Sequence, residues 1–243
     1  MRKLCCLLLC FALLCPTVSA AEQPKYAALT FDDGPSGRYT RTLLDGLAQR
    51  GARATFFLCG YRIEQYPELT ERILAEGHEI GLHGYSHTNM QTLSRRDIAR
   101  ELADTKALLP EGCPIRFLRP PGGCCSDAVR QVAEVTNLAI ADWSVDPRDW
   151  ATRDTAAIGR SVISQVQDGD IVLLHDMSAS SVAASLAIID QLQEDGFQFV
   201  TLSELARLRQ VRIRPGRTYR CFPPDASQGS CFSSQVSAWP RQP

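Results

Sequence analysis

Apolar residues recur along this chain in two alternating rhythms. Short apolar runs stand at 26–31 (YAALTF), 54–59 (ATFFLC), 78–83 (HEIGLH), 115–119 (IRFLR), 138–142 (LAIAD), 170–175 (DIVLLH) and 197–201 (FQFVT). Runs this short and this apolar predict strands buried on both faces. Between them, residues 40–50, 67–76, 94–109, 126–136, 154–167, 181–195 and 203–209 follow the three-and-four spacing of amphipathic helices. Local signals agree with these boundaries. Ser94 and Asp97 are spaced as a capping box, Pro67 suits a first helical position, and Gly51, Gly77 and Gly196 stand where helix C-terminal caps belong. Strands each followed by a helix predict an α/β fold, a parallel sheet with right-handed crossovers, open or closed into a barrel.

The first residues break this rhythm. Arg2 and Lys3 precede an uninterrupted apolar run from Leu4 to Cys15, and Val18, Ser19 and Ala20 supply small residues before Ala21. This is the layout of a secretory signal peptide over 1–20. As a helix the apolar run is about 18 Å long, short of the ~30 Å hydrocarbon core of a bilayer. A lipid-modified Cys15 is the weaker alternative, because bulky Leu14 precedes it. An exported chain, periplasmic or secreted and with no transmembrane segment after cleavage, follows. The barrel is then expected over 21–210 and an extension over 211–243.

Composition narrows the class. Of the 243 residues 44% are hydrophobic and 22% charged, which excludes a disordered chain, a collagen-like fibre and a polytopic membrane protein. Lys+Arg number 26 against 27 Asp+Glu, so nothing suggests a nucleic-acid binder. That balance joins unlike parts: 21–210 is net acidic, whereas 211–243 holds Arg212, Arg214, Arg217, Arg220 and Arg241 against Asp225. Of ten cysteines, Cys5, Cys6, Cys10 and Cys15 leave with the leader. In an exported chain the rest can form disulfides, and Cys221 and Cys231, isolated together in the extension, are the expected pair. Cys124 or Cys125 bridging to Cys59, free thiols, and a second metal site are the options for the others.

The rare polar residues fall at strand ends. Asp32 and Asp33 follow the first strand, His83 ends the third with His87 four residues on, Arg119 ends the fourth, Asp146, Asp149 and Trp150 follow the fifth, and His175 and Asp176 end the sixth. Singly, an Asp-Asp-Gly-Pro run reads as a turn and a strand-end histidine as a structural hydrogen bonder. Together they occupy the edge where α/β folds assemble active sites. His83, His87 and a first-strand carboxylate would make a two-histidine, one-carboxylate centre, suited to catalytic zinc or non-haem Fe(II). The other aspartate and His175 are then candidates for base and acid. His78 reads as structural.

These residues resemble the ordered motifs of the NodB-like polysaccharide deacetylases, carbohydrate esterase family four. Leu29-Thr30-Phe31-Asp32-Asp33-Gly34-Pro35 is similar to the first motif, His83 with His87 to the second, and Arg119-Pro120-Pro121-Gly122-Gly123 to the third. Asp146-Pro147-Arg148-Asp149-Trp150 resembles the fourth and Leu173-Leu174-His175-Asp176 the fifth. The resemblance covers 25–205 and implies a distorted (β/α)7 barrel that hydrolyses N-acetyl groups of N-acetylglucosamine-type sugars, in peptidoglycan, chitin-like oligomers or exopolysaccharide, releasing acetate. It implies Asp33, His83 and His87 as ligands of a divalent metal, usually Zn2+, Asp32 as general base and His175 as general acid. Arg119 would orient Asp32 and Asp149 would orient His175. Trp150 and Leu173 would line the acetyl pocket, and the Gly122 N–H would serve the oxyanion.

Two positions depart from the family pattern. Gly84 stands where Ser or Thr usually follows the first metal histidine, with Ser86 or Thr88 as substitutes, and Gly122 stands where an aromatic residue is common. Competing readings are an O-acetyl (xylan-type) carbohydrate esterase, a non-catalytic glycan-binding barrel and an Fe(II) oxygenase. The last is disfavoured by the strand–helix alternation.

Overall fold

The computed structural model describes residues 24–225; the expected leader, Cys231 and the end of the extension lie outside them. Strands run β1 Lys25–Asp32, β2 Thr55–Leu58, β3 Glu79–Leu82, β4 Phe117–Leu118, β5 Ala139–Ala141, β6 Ile171–His175, β7 Phe197–Phe199 and β8 Thr218–Tyr219. Helices are α1 Gly37–Gln49, α2 Gly60–Gln65, α3 Pro67–Ala75, α4 Arg95–Ala107, α5 Asp127–Val135, α6 Thr155–Ile163, α7 Ala179–Glu194 and α8 Leu202–Leu208. All strand pairs are parallel, in the order β6-β1-β2-β3-β4-β5-β8, with β7 beside the start of β1. The sheet curls on itself: Val145 bridges to Val172 of β6, and Cys221 bridges to Asp170. The parallel α/β sheet predicted by the strand–helix alternation is thus curled into the distorted (β/α)7-type barrel that the family resemblance implies.

Strand parity decides what faces where. Along β1, Ala27, Leu29 and Phe31 pack outward with the helices, while Ala28 joins the inner cluster of Phe57, Phe117, Ala139, Ala141, Ile171 and Leu173. Side chains alternate faces along a strand, so Thr30 and Asp32 share the inner face of Ala28. By the same parity Leu118, Val172 and Leu174 point to the helices, leaving Arg119 and His175 inward. Register then sets neighbours: Asp32 lies beside His175 of β6 and Phe57 of β2.

The structure differs from the sequence reading in several places. The expected extension over 211–243 begins inside the barrel: Thr218–Tyr219 pairs with β5, and Tyr219 and Phe222 are buried in the inner cluster. Two residues among arginines and prolines carry no periodicity to read. Helix α2 was likewise too short to signal itself. At α4 the Ser94 hydroxyl accepts the Asp97 N–H, but Asp97 bonds that hydroxyl rather than completing a capping box; the full box is at Thr201 and Glu204. His78 is structural, its Nδ1 accepting the Ala54 N–H at 3.2 Å. Cys59, Cys113, Cys124 and Cys125 are free thiols, which corrects the proposed bridge from Cys59.

Candidate active site

The inward residues at the C-terminal strand edge enclose a cavity of about 130 Å³ lined by Asp32, Asp33, His83, His87, Gly122, Trp143, Trp150, Leu173 and His175. Every sequence-predicted site residue lines it except Arg119 and Asp149, which lie buried directly behind. Asp146 stays out of it. Its carboxylate accepts the Arg148 N–H at 2.8 Å and so shapes the turn that delivers Asp149.

Three potential ligands converge. Asp33 Oδ1 lies 3.2 Å from His83 Nε2 and 3.0 Å from His87 Nε2, and one ligand atom of each residue falls within 4.8 Å of the others. Asp33 and His87 hold left-handed backbone conformations, with φ of 72° and 59°. Such conformations are uncommon for residues with a side chain and cluster where function requires them. The backbone carbonyl of Arg119 accepts from His83 Nδ1–H at 2.7 Å. A carbonyl can only accept, so Nδ1 carries the hydrogen and Nε2 is the ring atom turned toward Asp33. Asp33 Oδ1 is buried without a hydrogen-bond partner. Two ring nitrogens converging on a buried orphan oxygen suit a cation that takes imidazole and carboxylate ligands. Burial raises the Asp33 pKa, but His83 and His87 more than offset this and hold it well below the carboxylate range. The Asp33 carboxylate, 3.0 Å away, in turn raises His87, against burial. Protons and a cation therefore compete for these atoms.

On one side of this cluster stands Asp32. The Arg119 guanidinium is completely buried and spends its donors on four acceptors: Asp32 Oδ1 and Thr30 Oγ1 from Nη1, both at 2.7 Å, the Ala141 carbonyl from Nε and the Asp142 carbonyl from Nη2, both at 2.9 Å. It also lies over the Phe57 ring at 4.1 Å and the Trp143 ring at 5.5 Å. A planar cation fixed on so many contacts holds Asp32 in one orientation.

On another side stands His175. Asp149 accepts from its Nδ1 at 2.7 Å and from its backbone N–H at 2.9 Å. Burial pulls the imidazolium pKa down, but the hydrogen bond and charge of Asp149, with the charges of Asp33 and Asp32, push it up to about 9. The arrangement thus holds an oriented carboxylate and a proton-bearing imidazole around one ligand cluster.

Several supporting residues were not legible as such. Glu101 of α4 accepts the N–H groups of Tyr85 and Ser86 at 2.7 and 2.8 Å and the Ser86 hydroxyl at 2.9 Å, and the Ser86 and Thr88 hydroxyls meet at 2.7 Å. These bonds pin the His83–His87 loop despite Gly84. In an amphipathic helix Glu101 reads only as a solvated charge. Arg220 of the extension donates to the Trp143 carbonyl at 3.0 Å and pairs with Asp142 at 3.6 Å, bracing the wall behind Arg119. At the departure from the aromatic pattern, Gly122 has φ of 67° and lines the cavity wall.

Comparison with known proteins bears on the family and the fold. A polysaccharide deacetylase family model matches residues 19–141. A peptidoglycan-N-acetylglucosamine deacetylase of Bacillus cereus is 40% identical over 79% of this chain and 93% of its own length. The peptidoglycan-N-acetylmuramic acid deacetylase PdaC of Bacillus subtilis is 37% identical over 77% of this chain, which spans only 40% of that longer protein. A solved PdaC structure superposes with a TM-score of 0.73 at 36% identity, covering 77% of this chain and 92% of the other. A family 4 acetyl xylan esterase from Clostridium thermocellum, solved with a cobalt ion, gives 0.75 at 33% identity, covering 82% of this chain and all of the other. On motif order, barrel and sequence identity together, the chain belongs to the polysaccharide deacetylases, the NodB-like hydrolases of carbohydrate esterase family 4.

Proposed function

We infer that the protein is an exported, zinc-dependent N-deacetylase acting on N-acetylglucosamine-type units of a cell-wall or related glycan. The observation that carries this is the placement of the Asp32–Arg119 and His175–Asp149 pairs around the Asp33, His83 and His87 ligand group in one cavity. The peptidoglycan deacetylases among its relatives support the substrate class.

Asp33, His83 and His87 would hold the ion. When bound, zinc supplies Lewis acidity that polarises the acetyl carbonyl and lowers the pKa of water toward ~7. Asp32, oriented by Arg119, takes the proton from the attacking water. A carbon–oxygen bond forms, and the carbon–nitrogen bond breaks as His175 delivers its proton to the departing sugar amine. An amine is a poor leaving group, which is why a proton-bearing imidazole is required there. The Gly122 N–H donates to the developing oxyanion, and Leu173 and Trp150 enclose the acetyl methyl. Export rests on the leader-like residues 1–20 and fits a substrate outside the cytoplasm; the Cys221–Cys231 pairing belongs to the same proposal. The similarity to an acetyl xylan esterase favours O-acetyl groups as the second reading, and relative rates on chito-oligosaccharides and acetylated xylan separate the two.

Replacing Asp32 with Asn tests the assignment of the base. Metal analysis should show zinc retained while acetate release falls by about 10²–10⁴-fold. Activity within about tenfold of the unmodified protein would remove Asp32 from that role.

A further inference from the structure

Asp176 follows His175 directly and has no part in the chemistry above, yet it is completely buried. Its Oδ2 accepts a hydrogen bond from the Thr40 hydroxyl, while Oδ1 is buried without any hydrogen-bond partner. Its backbone carbonyl accepts from the Ser36 hydroxyl. Ser36 occupies the N-cap position of α1 but makes no side-chain cap bond; its own N–H donates to Thr40 Oγ1 at 2.6 Å. These bonds tie the end of β6 to the turn that follows Asp32 and Asp33. The carboxylate also lies flat against that turn. A Cβ built on Gly34 would stand 2.6 and 2.8 Å from the two carboxylate oxygens of Asp176 and 3.1 Å from its Cγ. Gly34 is not among the glycines with positive φ. A left-handed backbone is therefore not what calls for glycine here, whereas the space taken by Asp176 excludes a side chain. On the far side of the turn, the Gly34 carbonyl accepts the Cys59 N–H at 3.1 Å.

A carboxylate left partly unpaired in a fully buried place needs an explanation. The geometry points to a positioning role: we propose that Asp176 is the clamp that sets the turn carrying Asp32 and Asp33 against His175, and that position 34 is glycine because this clamp occupies its side-chain space. The inference rests on reading the site as a deacetylase centre. Asp176 touches no reacting atom; it acts through the distance between the base and ligand on one strand and the acid on the next.

The test is a double-mutant cycle of Gly34→Ala and Asp176→Ala, read as kcat and KM for acetate release from N-acetylglucosamine oligomers and as zinc affinity by chelator competition. A clamp predicts that Gly34→Ala alone lowers kcat on the order of 10²-fold with KM little changed, and weakens zinc binding. In the Asp176→Ala background the same substitution should change both quantities by no more than about twofold. Equal losses from Gly34→Ala in both backgrounds, or an Asp176→Ala protein with unchanged kcat and zinc affinity, would overturn it. Thr40→Val, close in shape, covers the case of an unfolded Asp176 variant: it should lower kcat with KM unchanged, Thr40→Ser should restore it, and unchanged kcat in Thr40→Val counts against the clamp. Zinc affinity keeps the two readings apart. An unmodified protein that binds zinc and releases no acetate sinks the deacetylase reading, while non-additive zinc affinities still decide the clamp.

Discussion

Three buried or half-buried histidines of this barrel differ in what their Nδ1 meets. At His78 it accepts a backbone N–H, and burial pulls that imidazole down to about 4. At His83 it donates to a carbonyl, which turns Nε2 toward Asp33. At His175 it faces the Asp149 carboxylate, and the ring keeps its proton to about 9. Positions 83, 87 and 175 could be picked out in the sequence because they end strands, and motif order suggested their tasks. The partners that separate the tasks come from 36 and 26 residues away, and one is a backbone carbonyl that no side-chain pattern announces. A titration follows from this. In metal-free protein the His175 ring should titrate near pH 9, remaining protonated below it. Asp149→Asn removes the contact and charge that oppose burial, so the midpoint should fall by more than about one unit. NMR of the ring protons reads this directly, and an unmoved midpoint would show that Asp149 is not its source.

At the scale of elements, the strand–helix alternation was legible because each buried parallel strand is a short apolar run and each helix a separate amphipathic one. The seven expected strands lie within a residue or two of their predicted places. What escaped was too short or too distant to leave a pattern: α2, the two residues of β8, and Glu101, whose role depends on which loop packs beside its helix. β8 matters because it brings Tyr219 and Phe222 into the inner cluster, their rings 5.4 Å apart, while the Phe222 N–H bonds the Gly169 carbonyl at 2.7 Å. The extension is thus part of the barrel core. Phe222→Ala should cost about 3–5 kcal/mol, as for other buried aromatics, lowering Tm by roughly 10 °C in a domain of this size. A thermal melt within a degree or two of the unmodified protein would instead make the extension peripheral.

Across the whole molecule, the site exists because strand parity and parallel register bring widely separated residues to one edge of a curled sheet. Each of Asp32, Arg119 and His175 is an inward residue at a strand end, and their neighbours are fixed by pairing rather than by local sequence. Relatives with this architecture carry names that assign them different acetylated glycans. The common chemistry is therefore more deeply built into the fold than the choice of polymer, which belongs to loops around the cavity. Among the described residues no helix is long and apolar enough to cross a membrane.

The most direct measurement is acetate release from peptidoglycan and N-acetylglucosamine oligomers, followed by mass spectrometry with zinc-loaded protein, chelator-stripped protein and stripped protein given zinc again. A zinc-dependent deacetylase releases acetate and leaves free amines in the first case, falls to background in the second and recovers in the third. Glycan binding by zinc-replete protein with no loss of acetyl groups, or equal release with and without metal, would contradict it.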